Sequence, residues 1–356
     1  MGDRKRRQMR AIDQKEHAMK DHVPDFDTDG LAKIEPSASA RFVFEFTSRF
    51  LRPLIRRQML GDGKRPVSQQ FSSLGKRIDT SSSITRVLRH RGVRIERRTA
   101  NGLPVEIVWP QAHRGALSDG VVLYIHGGGM LMGNLNTHRH FVAIIARATG
   151  LPVMHIEYRQ YPEAFVNASV DDCCSAYQWL LANGADPTNT VFAGESAGGF
   201  LALATPLRAQ QQGLPKPAGV IGLSALLELD GTARSTYVDV DEDALGVAMT
   251  LPAITEHIFP ESEWDYDPSP IHGLLDAMPP VLLIAAETEV LRCDAERLHD
   301  VLAARGMPST LQIWPKQLHA FPVLLPFLTE SRQAIDSIAR FVASCVSEPN
   351  DRGHSE

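Results

Sequence analysis

Eight short apolar runs, separated by stretches long enough for helices, constrain this chain more than any other feature. Residues 93–98 and 104–109 alternate apolar and polar side chains, as half-buried strands do. Residues 121–125, 153–156, 190–193, 219–223, 281–285 and 311–314 are close to continuously apolar, as strands covered on both faces are. Helix-length segments fall between them at 138–149, 168–183, 197–212, 293–304 and 326–346. Strand and helix in alternation predict an α/β domain: an eight-stranded, mostly parallel sheet with helices on both faces. No internal repeat is visible.

The 356 residues, 43% hydrophobic and 22% charged, suffice for a packed core of that size. A net charge of -5 supplies no global basic field, which argues against a nucleic-acid partner. Cys173, Cys174, Cys293 and Cys345 make neither a disulfide framework nor a zinc pattern, so buried, reduced thiols are expected. No metal or organic cofactor is implied. Residues 1–20 are basic and polar and lack the apolar stretch of a secretory signal. No run of about 18 apolar residues occurs, so no transmembrane helix is expected and a cytoplasmic location is the default. The Arg4-Lys5-Arg6-Arg7 run reads as a solvated terminus or a contact for an anionic surface.

Residues 1–35 read as a disordered or loosely helical tail, 36–90 as an N-terminal cap segment and 91–347 as the main α/β domain. Within the cap segment, Phe42, Phe46, Leu51, Leu54, Ile55 and Met59 recur at helical spacing, predicting an amphipathic helix over 38–59 with a kink at Pro53. Residues 61–83 read as a linker. More than 50 residues separate the strands ending near Leu223 and starting near Val281, too many for a simple connection. An insertion over about 226–266 is therefore expected to add to a cap. Phe42, Phe46, Phe50, Met130, Leu131 and Met132 are candidates for an apolar pocket or for core.

Gly194-Glu195-Ser196-Ala197-Gly198 follows an apolar run and opens a helix-length segment. A G-x-S-x-G run arises by chance in about one chain in ten of this length. In strand-turn-helix context it puts a serine on a sharp, strained corner, with glycines where a Cβ would collide and helix amides aimed at the hydroxyl. His126-Gly127-Gly128-Gly129 stands directly after run 121–125. Consecutive glycines let the backbone present N–H groups to an oxyanion. Gly128 and Gly129, together with Gly127, and the N–H of Ala197 are the expected donors, and His126 is expected to shape the loop. His319 follows the last strand and precedes the last long helix, where a base acting on Ser196 belongs. The acid belongs after run 281–285, where Glu287, Glu289 and Asp294 all stand.

These motifs resemble those of the hormone-sensitive-lipase branch of the α/β hydrolases, the bacterial family IV esterases, over roughly residues 93–342. The resemblance rests on His126 to Gly129, Gly194 to Gly198 and His319, and also on Tyr158-Arg159, Pro162-Glu163, Asp172, the Asp267-Pro268-Ser269-Pro270 run and Pro279-Pro280. It implies the α/β-hydrolase fold with a helical cap, and a serine carboxylesterase acting through an acyl-enzyme on short to medium acyl chains. It favours Glu289 as the acid, though aspartate is the family's usual residue there. Gln160-Tyr161 and Asn167 also depart from the family pattern. Similar esterases are often dimers. Rival readings are another serine acyl hydrolase (lactonase, amidase or thioesterase), an idle small-molecule-binding protein on this fold, and membrane association through the basic terminus or the 38–59 helix.

Overall fold

The computed structural model describes residues 30–33, 35–60, 91–113, 115–236 and 242–346. The bulk of the tail (1–29), the linker (61–83) and residues 239–241 of the acidic run lie outside the described residues. In chain order the principal elements begin with α1 (Ala38–Phe46), a π-helical turn (Thr47–Leu51) and α2 (Arg52–Leu60). Strands β1 (Val93–Ala100), β2 (Leu103–Pro110) and β3 (Val121–Ile125) follow, then α3 (Leu135–Thr149), β4 (Val153–Ile156), α4 (Val166–Ala182), β5 (Thr190–Glu195), α5 (Ala197–Gln211) and β6 (Gly219–Leu223). The chain continues through α6 (Thr232–Ser235), α7 (Val247–Ile258), β7 (Val281–Ala286), α8 (Arg292–Ala304), β8 (Ser309–Trp314), α9 (Phe321–Leu324) and α10 (Thr329–Cys345).

The eight strands form one sheet in the order β1-β2-β4-β3-β5-β6-β7-β8. The β1–β2 and β2–β4 pairs are antiparallel and every other pair is parallel. Because side chains alternate across a strand, β3 feeds both faces. Val121, Leu123 and Ile125 join one apolar layer, with α4, α5 and α8, while Val122 and Tyr124 join the other, with α3 and α10. All five residues are buried, which is why their sequence shows no polar alternation.

Parallel strands β3 and β5 to β8 end on the same sheet edge, and two segments lie over it. Helix α7, inside the long insertion, brings Ile254 within 3.8 Å of where a Cβ on Gly129 would stand. Helix α1 buries Phe44 in a small cluster with Ala244 and Leu318. Its start is fixed by the Ser37 hydroxyl, which accepts the Ala40 N–H at 3.1 Å. The irregularity expected at Pro53 is the π turn just before it. Phe42, Phe46 and Phe50 are neither core nor pocket: they are 69%, 44% and 56% exposed. Met130 and Leu131 are buried in the main core. No helix of the described residues is long and apolar enough to cross a membrane.

Candidate active site

The corner between β5 and α5 carries Ser196 at φ 54°, ψ -121°, a left-handed backbone that a side-chain-bearing residue adopts only under constraint. The constraint is visible on both sides. The Ser196 N–H donates to the Leu223 carbonyl at 2.9 Å, and the Ser196 carbonyl accepts from Phe200 and Leu226 at 3.1 and 3.2 Å. A Cβ on Gly194 would stand 2.3 Å from the Gly198 carbonyl oxygen, and one on Gly198 would stand 2.2 Å from the Ile125 carbonyl oxygen. Glycine is required at both places because backbone passes there, as the motif anticipates.

His319 lies beyond β8, its side chain 11% exposed. Its Nδ1 is 2.6 Å from Glu289 Oε2, and Glu289 Oε1 accepts the Ala286 N–H at 2.7 Å. Both carboxylate oxygens are thus held at the C-terminal end of β7. Burial alone would lower the His319 pKa, but the hydrogen bond to Glu289 and the charges of Glu289, Asp243 and Glu195 outweigh it, and the net shift is upward. The rival acids are engaged differently. Glu287 contributes its backbone N–H to the Trp314 carbonyl at 3.0 Å. Asp294 is fully buried and accepts from Arg234 Nη1 at 2.8 Å and from the Leu227 and Glu228 amides at 2.8 and 3.2 Å.

Two residues that no motif announced connect these parts. Ser224, directly after β6, accepts the Ala320 N–H at 2.9 Å through its hydroxyl. Since Ser196 is bonded to Leu223, the Leu223–Ser224 peptide bridges the serine corner to the histidine loop. Asp243, 1% exposed, accepts the amides of Leu245, Gly246 and Ala248 at 3.0–3.1 Å. It thereby caps the approach to α7 and adds negative charge that acts on His319. A lone serine after a strand and one aspartate in an acidic run carry no sequence signal of such roles.

The glycine loop packs on the corner: a Cβ on Gly127 would stand 3.2 Å from Ser196 Cβ. Among the described residues the N–H groups of Gly128, Gly129 and Ala197 meet no protein acceptor. Gly127 is a correction to the expected donor set. Its N–H donates to Glu195 Oε1 at 2.6 Å and is therefore already used. Glu195 is a fully engaged carboxylate: it also accepts from Tyr124 Oη, and His138 Nε2 lies 2.9 Å from Oε1. Its burial would raise its pKa, yet His138, Tyr124 and the Gly127 amide hold it below the ordinary carboxylate range.

His126 shapes the loop, as its position suggested. Its Nδ1 is 2.8 Å from the Gly127 carbonyl, and its own carbonyl accepts from Tyr158 Oη at 2.9 Å. Its ring stacks between His138 and Tyr158, with centroids 5.1 and 4.6 Å away. Burial, with a lesser contribution from neighbouring His138, lowers its pKa to about 3, so the ring is neutral. Arg159 then locks the following segment, donating to both Asp172 oxygens. Among the described residues no group of three or more His, Cys, Asp or Glu is placed to hold a metal ion.

A family model described as alpha/beta hydrolase fold matches residues 122–323. The chain belongs to that family, within the hormone-sensitive-lipase-like branch. It is 32% identical over 235 residues to carboxylesterase/phospholipase LipF of Mycobacterium tuberculosis, a match covering 64% of this chain and 63% of that protein. The chain thus spans less than two thirds of LipF's length. Esterase LipU of the same organism is 32% identical over 228 residues, covering 62% of this chain and 76% of LipU. A crystal structure of an esterase from the bacterial hormone-sensitive lipase family aligns at TM-score 0.71 and 27% identity, covering 88% of this chain and 100% of that one.

Proposed function

We propose that this protein is a serine carboxylesterase in which Ser196 is the nucleophile, His319 the general base and Glu289 the acid that orients it. The contact that carries this reading is Glu289 Oε2 at 2.6 Å from His319 Nδ1, on the sheet edge where Ser196 sits at a strained corner. A proton on Nδ1 bonded to Glu289 leaves Nε2 free to take the serine proton as the oxygen attacks an ester carbonyl. The oxyanion then rests on the amides of Gly128, Gly129 and Ala197, groups with no competing acceptor among the described residues. The imidazolium, favoured by the upward pKa shift, protonates the leaving alcohol. Water activated by the same ring releases the acyl group from Ser196. The relatives named carboxylesterase and esterase support the same chemistry.

The inner side of helix α1, at Phe44, and the insertion around α7 serve in this reading as a cap that bounds the acyl site, and the preferred acyl chains are short to medium. Buried free thiols at Cys173, Cys174 and Cys293 support a reducing, cytoplasmic setting. A fluorophosphonate probe tests the reading. Wild type is expected to be labelled at Ser196 and to hydrolyse p-nitrophenyl esters, fastest with short to medium chains. Ser196→Ala is expected to lose both, with turnover down by about 10⁴–10⁶. Labelling elsewhere, or an active alanine variant, would overturn it.

A further inference from the structure

The outer side of the N-terminal helix is the feature that the catalytic reading leaves unexplained. Helix α1 buries Ala40 and Phe44 against the protein. Two positions on, about 200° around the helix, stands Phe42, and Phe46 and Phe50 follow at intervals of four. Their rings form a line, with centroids 6.1 Å apart for Phe42–Phe46 and 5.4 Å for Phe46–Phe50. Leu54, four residues further, is 62% exposed. A contiguous apolar stripe on a folded surface marks a contact, because leaving it in water is unfavourable.

The charge around the stripe identifies the contact. The chain as a whole is acidic, at -5, yet residues 38–60 hold five arginines against one glutamate and no lysine or aspartate. Arg49 is exposed one position before Phe50 and Arg57 is exposed beyond Leu54, while Arg41, exposed one position before Phe42, is paired with Glu35 at 3.0 Å. Aromatic rings flanked by arginine suit the boundary between acyl chains and anionic headgroups. Location adds to this. The inner side of the same helix packs Phe44 on Leu318, the neighbour of His319. Leu325 joins that cluster, and the exposed Leu324 and Phe327 stand beside it in the chain.

We propose that Phe42, Phe46, Phe50 and Leu54, with their flanking arginines, form an interfacial docking surface for anionic lipid bilayers, holding the mouth of the active site at the lipid surface. Its catalytic consequence, access to esters partitioned into the lipid, rests on the esterase reading above; the docking itself does not.

Co-sedimentation of the full chain with two kinds of vesicle tests this: phosphatidylcholine alone, and phosphatidylcholine mixed with phosphatidylglycerol. Wild type is expected to sediment with the mixed vesicles, less so as salt is raised, and to remain in solution with phosphatidylcholine alone. Arg49→Glu is expected to weaken binding by about tenfold or more. The triple variant Phe42→Ala/Phe46→Ala/Phe50→Ala is expected to stay in the supernatant while keeping its thermal midpoint and its turnover of a water-soluble p-nitrophenyl ester. Sedimentation is read without turnover, so a failure of the esterase reading leaves this result intact, and the reverse holds. Wild type that ignores anionic vesicles, or a triple variant that binds as wild type does, overturns the proposal. So does light scattering that shows a dimer for wild type and a monomer for the triple variant, which gives the stripe to a second copy. A Phe46→Cys thiol that resists maleimide in vesicle-free protein gives it to another segment of this chain, with the same consequence.

Discussion

Glu195 Oε1 accepts the Gly127 N–H at 2.6 Å, tying the residue before the proposed nucleophile to the first glycine of the proposed oxyanion loop, 68 positions away in sequence. The same carboxylate takes Tyr124 Oη and lies 2.9 Å from His138 Nε2. It is therefore a positioning group: it spends one glycine amide as an anchor and so fixes the direction of the next two. Glu195→Ala would strand the Gly127 N–H and free the loop. We expect kcat to fall by about 10², the size of losing one oxyanion donor, with KM little changed. Glu195→Gln retains an acceptor for Gly127 and is expected to lose less. Steady-state kinetics of both variants decide the matter, and an alanine variant with wild-type kcat would assign the loop's rigidity to His126 and Tyr158 alone.

The acid is tested by charge and by pH together. The Glu289 hydrogen bond and charge overcome the burial that would lower the His319 pKa, leaving it above 6.5. A base must be neutral to act, so kcat/KM is expected to fall as pH drops through that raised value. Glu289→Gln removes the charge that favours imidazolium, so the acid limb should move to lower pH. At its plateau kcat should be reduced by about 10⁴, as when an orienting carboxylate becomes an amide in a Ser-His-Asp triad. Glu287→Gln should match wild type in both respects. Equal activity of the two variants across pH would remove Glu289 from the role.

Sequence carried the fold where burial is symmetric and lost it where contacts decide. The runs Val121–Ile125, Val153–Ile156 and Gly219–Leu223 coincide with strands at both ends, because full burial keeps them apolar apart from the buried His155. Helix α3 starts at Leu135 rather than at 138, since Asn134 caps a polar first turn that periodicity does not register. Ser196 and the glycine run were legible because their chemistry imposes backbone passages that only glycine allows, and His319 because it stands between the last strand and the last long helix. The engagement of Gly127 was not, since its partner is distant in sequence. Helical spacing found the 38–59 segment but placed Phe42 and Phe46 on its packing face, whereas docking on Leu318 buries Phe44 and leaves those two exposed.

The buried histidines behind the glycine loop predict acid sensitivity. His126 is held at about 3 and His155, with neither ring nitrogen partnered among the described residues, well below 6.5, both chiefly by burial. Below pH 6.5 the unfolded chain takes up protons at these rings while the folded chain does not. The contribution of these two rings to stability is therefore full above that pH and falls as pH drops toward the folded values, by up to about 1.4 kcal/mol per pH unit for each. Urea midpoints measured between about pH 7 and pH 5 should decline accordingly. His155→Phe should flatten the slope, since one of the depressed rings is gone. A wild-type midpoint unchanged over that range would contradict the assignment.

Asp294 separates a structural carboxylate from a catalytic one. It sits at the start of α8, close in sequence to Glu289, but its oxygens face Arg234 and the amides of Leu227 and Glu228. Arg234 is itself 5% exposed, so the pair is desolvated on both sides. Removing one charge leaves the other buried and uncompensated, which costs about 3–5 kcal/mol. Asp294→Asn is expected to show that loss in urea denaturation, while the fraction that folds keeps a kcat close to wild type. Replacing both partners by apolar residues should not restore full stability, because two backbone amides would still lack their acceptor, at about 1–3 kcal/mol each. An Asp294→Asn protein that is as stable as wild type yet inactive would instead move the acid of the site from Glu289 to Asp294.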